Sequence, residues 1–514
     1  LPPELAARVR AFRGEDRLLK TLLLAALAPT VPALRNLTAR TLSALNHGSI
    51  TSPIPGGEVA QVSRKIEDWA SQFGEIKVSR GDDLGVRLEL VGVDVDSVLN
   101  SARHYDTVGA RKAMVKRLLW EELEIAASDE YVDHAHLVWR GSKRRVEVIY
   151  GNVRDPQDIR DDAFAPFEPD AWRVVIDYPF DDGTHGPADD RERVHKLRGR
   201  LNTRTVCWIP ASLTAERQRD LGRLVVLDAV LSGQRFETHA KHLSRDERER
   251  AHATLTSQRD ALNAKIRSVL RQAYGLANKE PTDVLTAYDD HLLTLSPGLH
   301  PTLPIGAKLS DALRDLAGQM FKQQFPAHPD FDPDRRGEPV RPAEARLVLS
   351  VVRQAVESGE GRVEVERKDR LTVRRIANPL RLGEMHEAAF VVGRYWVEHF
   401  HRCAAQEGIE GDLRVRDLRR WLDQPEPRGL DPLIAQLVLA AFAEQTDRTW
   451  VRHGSDMRPQ PDLTDITEDL ALRTPERPSQ EEWEAAGERA AHLFGFTPAK
   501  LPRGRLGALF VQDL

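Results

Sequence analysis

The chain has 514 residues, 41% hydrophobic and 30% charged, with 74 basic and 79 acidic side chains and a formal net charge of −5. That hydrophobic share supports buried cores and excludes wholesale disorder, while the length implies several domains of roughly 150 residues each. No apolar run approaches the roughly 20 residues of a bilayer-spanning helix. The charge balance gives no global pull toward nucleic acid, so any such contact must come from a local patch.

Helical signal begins at once, in Pro3-Glu4-Leu5, behind a first residue that is Leu1 and with no signal-peptide core; this reads as a piece of a longer protein. A helix over 16–27 is stopped by Pro29 and Pro32, since proline lacks an N–H and clashes with the preceding turn. A second helix is predicted over 33–46, with Leu34, Leu37, Leu42 and Leu45 on one face and Gly48 at the position past its end where φ > 0 is favoured. A third carries Val59, Val62, Ile66 and Trp69. Two short strands follow, Glu75-Ile76-Lys77-Val78 and Val86-Arg87-Leu88-Glu89-Leu90. Three helices and a β-hairpin make a winged-helix pattern.

Beyond a helix over 109–126, apolar strands are predicted at Ala135-His136-Leu137-Val138-Trp139, Arg145-Val146-Glu147-Val148-Ile149-Tyr150, Trp172-Arg173-Val174-Val175-Ile176-Asp177 and Thr205-Val206-Cys207-Trp208-Ile209-Pro210. Helices between them imply a small sheet with parallel strands. Ser244-Arg245-Asp246-Glu247 is a capping box opening a helix that runs to about 273. Leu255, Leu262 and Val269 step by seven along it, with Ile266 and Ala273 beside them, so it should pack on the apolar helix at 213–232. The Pro-, Asp- and Arg-rich stretch 325–341 reads as a linker. After it come a helix at 342–358, a hairpin formed by Arg362-Val363-Glu364-Val365-Glu366 and Leu371-Thr372-Val373-Arg374, and helices at 381–407, 414–423 and 430–446. Ser479-Gln480-Glu481-Glu482 caps a last helix. The expectation is a helix-rich, multidomain α+β chain: a winged-helix domain (1–104), an α/β domain (105–235), a helical hairpin with its linker (236–340), and a C-terminal winged-helix-like helical domain (341–514).

The chemistry-bearing motifs are sparse. No G-x-x-x-x-G-K-[ST] occurs, and Gly109-Ala110-Arg111-Lys112 lacks both the leading glycine and the hydroxyl ligand, so no loop here cradles a nucleotide's phosphates. Cys207 and Cys403 lie far apart outside any C-x-x-C pair, which argues against a disulfide framework or thiolate zinc site and fits a reducing cytoplasm. His134 and His136 share a strand face with no third ligand beside them and read as a surface pair.

The densest acidic stretch is Asp177-Tyr178-Pro179-Phe180-Asp181-Asp182-Gly183-Thr184-His185, closing with Asp189 and Asp190. It reads first as a loop in which Asp189 caps a helix starting near Arg191. Its alternatives are a protein-docking loop presenting Asp177, Asp181, Asp182 and His185, and a metal-dependent phosphodiesterase or nuclease using Asp177, Asp181 and Asp182. Glu366-Arg367-Lys368 matches the E-x-K of some Mg²⁺ nucleases, but its alternating charge suits a hairpin's solvent face. No catalytic residue and no metal ligand is assigned.

Two local basic sets are candidates for duplex DNA. Arg64 and Lys65 lie on the third helix, with Lys77, Arg80 and Arg87 in its wing; Arg367, Lys368, Arg370, Arg374 and Arg375 form the second run. Glu67, Asp68 and Asp82 dilute the first set, so contact should be weak and dominated by phosphates.

Several segments, taken in order, carry a resemblance: Leu18-Leu19-Lys20-Thr21-Leu22-Leu23-Leu24, Leu45-Asn46-His47-Gly48, Val91-Gly92-Val93-Asp94, Tyr178-Pro179-Phe180-Asp181-Asp182, Cys207-Trp208-Ile209-Pro210 and Ala273-Tyr274-Gly275-Leu276-Ala277. From about residue 15 to 500 the chain resembles the large ATPases of BREX phage-defence systems, in the PglY branch related to BrxC. The resemblance implies an AAA+ module carrying the ATP and Mg²⁺ site ahead of this chain, with no cofactor in the chain itself. It further implies a non-catalytic, cytoplasmic, DNA- and partner-engaging segment. Its partners would be defence proteins such as a PglZ-like phosphatase-fold protein and a methyltransferase, with no membrane, and self-association into a homo-oligomer is compatible with it. The rival from another class is the metal-dependent phosphodiesterase or nuclease using Asp177, Asp181 and Asp182, and a second rival is a purely protein-docking scaffold, favoured if the basic hairpins face inward.

Overall fold

In a computed structural model, the structure describes residues 3–495 apart from 29–30, 51, 53–55, 80, 82, 90–94, 129, 182–186, 286–287, 458 and 476–478. Two units emerge, one from Leu1–His134 with Glu147–Asp315 and the other from Ala135–Val146 with Leu316–Leu514. The fold is mixed α/β with several small sheets.

The first unit opens with α1 (Pro3–Leu27), α2 (Ala39–Leu45), α3 (Glu58–Gln72) and the antiparallel pair β1 (Ile76–Ser79) and β2 (Gly85–Leu88), in register Ile76↔Leu88. Leu18, Leu22, Leu42, Val62, Ile66 and Val86 form their common core. The second helix starts later than its leucine spacing predicts. Thr38 caps it through a Thr38–Thr41 capping box, and 32–34 is a separate 3-10 turn. Gly48 holds φ +76°, as its place past the helix end requires.

Next come α4 (Val95–Ser101), α5 (Val108–Leu123), β3 (Asp133–Trp139), β4 (Ser142–Tyr150), β5 (Trp172–Ile176), α6 (Pro187–Arg198), β6 (Thr205–Trp208), β7 (Ser212–Leu213), α7 (Ala215–Leu231), α8 (Arg235–His239), α9 (Arg245–Ala273), β8 (Val284–Leu285) and β9 (Leu292–Thr294). The main sheet has strand order β3-β4-β5-β6-β9, and the division between units runs through the β3–β4 hairpin. β5 and β6 are parallel, Arg173↔Thr205 through Ile176↔Trp208, with α6 as their crossover; β9 runs antiparallel to β6. Every residue of β5 is buried, including Arg173, which Glu147 on β4 neutralises through an Nε–Oε2 hydrogen bond of 2.9 Å. The Ser244–Glu247 capping box opens α9, and its Leu255, Leu262, Ile266 and Val269 are buried, with α7 as its main packing partner, as the heptad spacing predicts.

After α10 (Leu309–Gln324), the second unit continues with α11 (Pro342–Glu357), β10 (Arg362–Glu364), α12 (Arg370–Ala377), β11 (Gly383–Met385), β12 (Ala389–Val392), α13 (Tyr395–Gln406), β13 (Leu413–Arg414), α14 (Val415–Leu422), α15 (Pro432–Gln445), β14 (Thr449–Arg452), β15 (Ser455–Asp456), β16 (Leu470–Arg473) and α16 (Gln480–Phe494). Its sheets have orders β10-β12-β11 and β13-β16-β14-β15. α15 is buried along most of its length, against α11, α13 and α14.

Three expectations fail here. The segment 371–374 is not a strand: Val373, Ile376 and Ala377 recur at helical spacing and are buried, so α12 forms, and β12 pairs with β10 instead. The helix expected from 381 begins only at Tyr395, because 383–392 folds into the β11–β12 hairpin. The stretch 325–341 is packed rather than loose. Phe331 is fully buried beneath Gly141, whose missing Cβ would lie 2.6 Å from the Phe331 Cβ at φ +77°.

Candidate functional site

The acidic stretch begins where β5 ends. The Asp177 N–H donates to the Trp208 carbonyl at 3.1 Å, and its own carbonyl accepts from the Tyr274 hydroxyl at 2.5 Å. Its side chain turns inward, where Oδ1 accepts from the Val153 N–H at 3.3 Å. Around it lie Arg154, Asp181 and Asp190. The Arg154 Nη2 is 3.8 Å from Asp177 Oδ2, its Nε is 3.3 Å from Asp190 Oδ1, and its Nη1 pairs with Asp181. Asn152 Oδ1 also accepts from the Arg154 Nε at 2.8 Å. The side chains of Arg154, Asp177 and Asp190 are 7%, 2% and 2% exposed.

Three carboxylates around one cation cannot all ionise cheaply away from water. Burial first, and the neighbouring Asp190 second, hold the Asp177 carboxyl well above the usual carboxylate range. Burial also raises Asp190, against the pull of Arg154. Burial likewise pushes the nearby Cys207 thiol upward.

This geometry bears on each reading of the stretch. Asp177 and Asp181 do converge, but on a guanidinium, and no group of three or more His, Cys, Asp or Glu side chains among the described residues is placed to hold a metal ion. Asp177 is 1% exposed, so its carboxyl is an internal hydrogen-bonding group and is closed to a partner in this conformation, contrary to its reading as a docking residue. Asp182 and His185 lie outside the described residues. Asp189 sits in the first turn of α6, which begins at Pro187, and so is not the cap of a helix starting near Arg191. Arg154 is the group that sequence reasoning missed; its signal is Asn152-Val153-Arg154 directly after an apolar strand.

The first basic set lies on α3 and its hairpin. Val62, Ile66 and Ala70 face the core, and α9 packs against α3 on another side. Arg64 pairs with Glu280 at 2.7 Å, and Lys65 pairs with Glu15 at 3.0 Å while lying 5.8 Å from the Trp69 ring. Lys77 donates to Thr254 Oγ1 on α9 at 3.1 Å, and burial draws its ammonium below the usual lysine value. Lys265 on α9 reaches back to Asp68 at 2.5 Å and to Asp220 at 3.2 Å. Gly74 makes the approach tight, since a Cβ there would stand 2.4 Å from Thr254 Cγ2. Beside this contact opens a cleft of about 1290 Å³, into which Arg64 and Lys65 but also Asp68, Asp260, Glu280 and Asp283 project. Arg87 is exposed and paired with Glu89 at 2.6 Å; Arg80 lies outside the described residues.

In the second unit the basic run is mostly turned into the fold. Arg370 Nε donates to the Val365 carbonyl at 2.8 Å, and Arg374 donates to the carbonyls of Met385 and His386 at 3.4 and 3.0 Å. Arg375 donates to the Phe331 carbonyl at 3.2 Å and to Glu344 Oε1 at 2.5 Å. Lys368 pairs with Glu366 at 2.9 Å, and Arg367 is exposed.

Small helical and sheet modules define the class of the chain as a multidomain, mixed α/β protein. Three family models match it. The PglY fourth domain covers residues 98–325, the fifth domain of the BREX system ATPase PglY protein covers 343–443, and the second domain of that protein covers 3–82. The chain belongs to the PglY family of BREX phage-defence systems. No solved structure matches it. Among the described residues no helix is long and apolar enough to cross a membrane.

Proposed function

We propose that this chain is a non-catalytic docking segment of a BREX phage-defence assembly, presenting its modules to other defence components such as a PglZ-like phosphatase-fold protein and a methyltransferase. One observation carries the reading: most cations that would present α3 or α12 to duplex DNA are engaged by the chain's own carboxylates and carbonyls. A helix whose basic residues are ion-paired and whose flank is covered by α9 is a poor groove reader. The Arg154 cluster supports the same conclusion, since its cation position is already filled. The sequence also contains no phosphate-cradling loop that could bind ATP.

The test is a salt titration of binding to random duplex DNA. Wild type is compared with Arg64→Glu/Lys65→Glu and with Arg374→Glu/Arg375→Glu. The docking reading expects both reversals to leave affinity and salt slope unchanged, while the second pair lowers the melting temperature. A slope shallower by about 1.8 for either pair, roughly 0.9 per lost phosphate contact, would replace docking by phosphate-dominated DNA binding.

A further inference from the structure

A different surface of the first unit carries cations that, among the described residues, no carboxylate engages. It is built from α4, the 3-10 turn at 103–105 and α8, which α7 brings together. Arg103, Arg235 and Lys241 are exposed there and, among the described residues, form no ion pair with a carboxylate. Of the nearby acids, Asp106 pairs with Arg111 at 2.6 Å, Glu237 with Arg248 at 3.0 Å and Asp228 with Arg117 at 3.2 Å, while Asp96 is exposed on α4, where its charge acts on Arg223.

Aromatic rings are interleaved with these cations. The Tyr105 ring lies 4.2 Å from His104 and 5.8 Å, edge-on, from His239, with the Arg235 guanidinium 5.3 Å from its centroid. Two serines one turn apart on α4 hold the imidazoles: Ser101 Oγ lies 2.8 Å from His239 Nδ1, and Ser97 Oγ lies 2.7 Å from His242 Nε2. The patch is therefore positioned in advance, and His104 is exposed on it.

We propose that this surface binds single-stranded nucleic acid, with Arg103, Arg235 and Lys241 on phosphates and the His104 ring stacking on a base. Three exposed cations without a carboxylate partner among the described residues, on a chain of net charge −5, concentrate attraction for a polyanion locally. Rings among the cations add base stacking, which suits any base because each has a π-face. The patch consists of a short turn, a five-residue helix and one helix end, so it offers no long element to lay in a duplex groove. This adds a ligand to the docking segment and does not depend on the docking reading.

The experiment measures binding of the whole chain to a fluorescent dT20 strand, the same length of duplex, and a poly-glutamate peptide across salt. Expected are binding to dT20 in preference to duplex and no binding to poly-glutamate. Arg103→Gln/Arg235→Gln/Lys241→Gln should weaken dT20 binding at least tenfold and make the salt slope shallower by about 2, roughly 0.7 per phosphate on a single strand. His104→Ala should weaken dT20 binding several-fold, and Arg64→Glu/Lys65→Glu should leave it intact. All four side chains are exposed and, among the described residues, unpaired by carboxylates, so an unchanged melting temperature keeps the comparison valid. Absent dT20 binding at low salt, an unaltered triple variant, or equal binding to duplex or poly-glutamate would overturn the proposal.

Discussion

Replacing Arg154 by Met removes the only cation shared by Asp177, Asp181 and Asp190 among the described residues. The aliphatic stem is kept, so the change isolates the charge. Breaking one partner out of a buried ionic group typically costs about 3–5 kcal/mol, because the charges left behind are neither solvated nor paired. At 7% exposure the Arg154 side chain belongs to that regime rather than to the surface one. Amide hydrogen exchange reads the effect locally, which suits a multidomain chain that need not unfold in one step. In peptides covering β4, β5 and β6, exchange should accelerate at pH 7.5 by about two to three and a half orders of magnitude, at about 1.4 kcal/mol per tenfold. The pH dependence has a definite sign. A carboxyl whose folded value is raised holds its proton more tightly folded than unfolded. Its contribution is therefore fullest at low pH and is lost as pH rises through the folded value. Asp177 and Asp190 are both raised, so the Arg154→Met penalty should shrink at pH 5. Exchange within threefold of wild type at both pH values would refute the assignment of Arg154 as the neutralising cation.

Further outcomes follow from the same geometry. Asp177→Asn should flatten the fall in stability as pH rises, because an amide cannot ionise where burial opposes a carboxylate; a pH series of exchange measurements on β5 checks this, and an unchanged pH profile would count against it. Gly74→Val should drive α3 from α9 by overpacking against Thr254, costing about 1–3 kcal/mol and raising exchange in 58–72 and 250–258, with an unchanged pattern counting against the tight contact. Ser244→Ala should remove the α9 capping box, cost about 1 kcal/mol and fray residues 245–249 without reaching the α7 contact.

Much of the local structure was legible because it is decided over short distances. Ser244–Glu247 and Ser479–Glu482 are capping boxes whose polar groups satisfy backbone N–H groups three residues away, and both form. The seven-residue step of α9 needs only one apolar partner, and α7 is the apolar helix nearest in sequence. Segment 371–374 failed because Thr372 and Val373 look strand-like over four residues. The packing of Val373, Ile376 and Ala377 overrides that local preference. The sites were less legible, since each is made by distant residues. Arg154 meets Asp177 because β4 and β5 lie side by side, and nothing in the acidic stretch announces a guanidinium 23 positions earlier. The Lys77 contact with Thr254 is hidden from local sequence because α9 lies far along the chain, while Arg64 stays exposed in its pair with Glu280. Arg103-His104-Tyr105 and Arg235 to His242 are unremarkable separately and become a patch only after α7 returns the chain.

The most direct test of the docking account is sedimentation of this chain with purified BREX components, a PglZ-like protein and a methyltransferase, after nuclease treatment and without nucleotide. The account predicts a stable complex with at least one component, unchanged by Arg64→Glu/Lys65→Glu. Failure of every component to co-sediment, or loss of the complex when nucleic acid is removed, would contradict it.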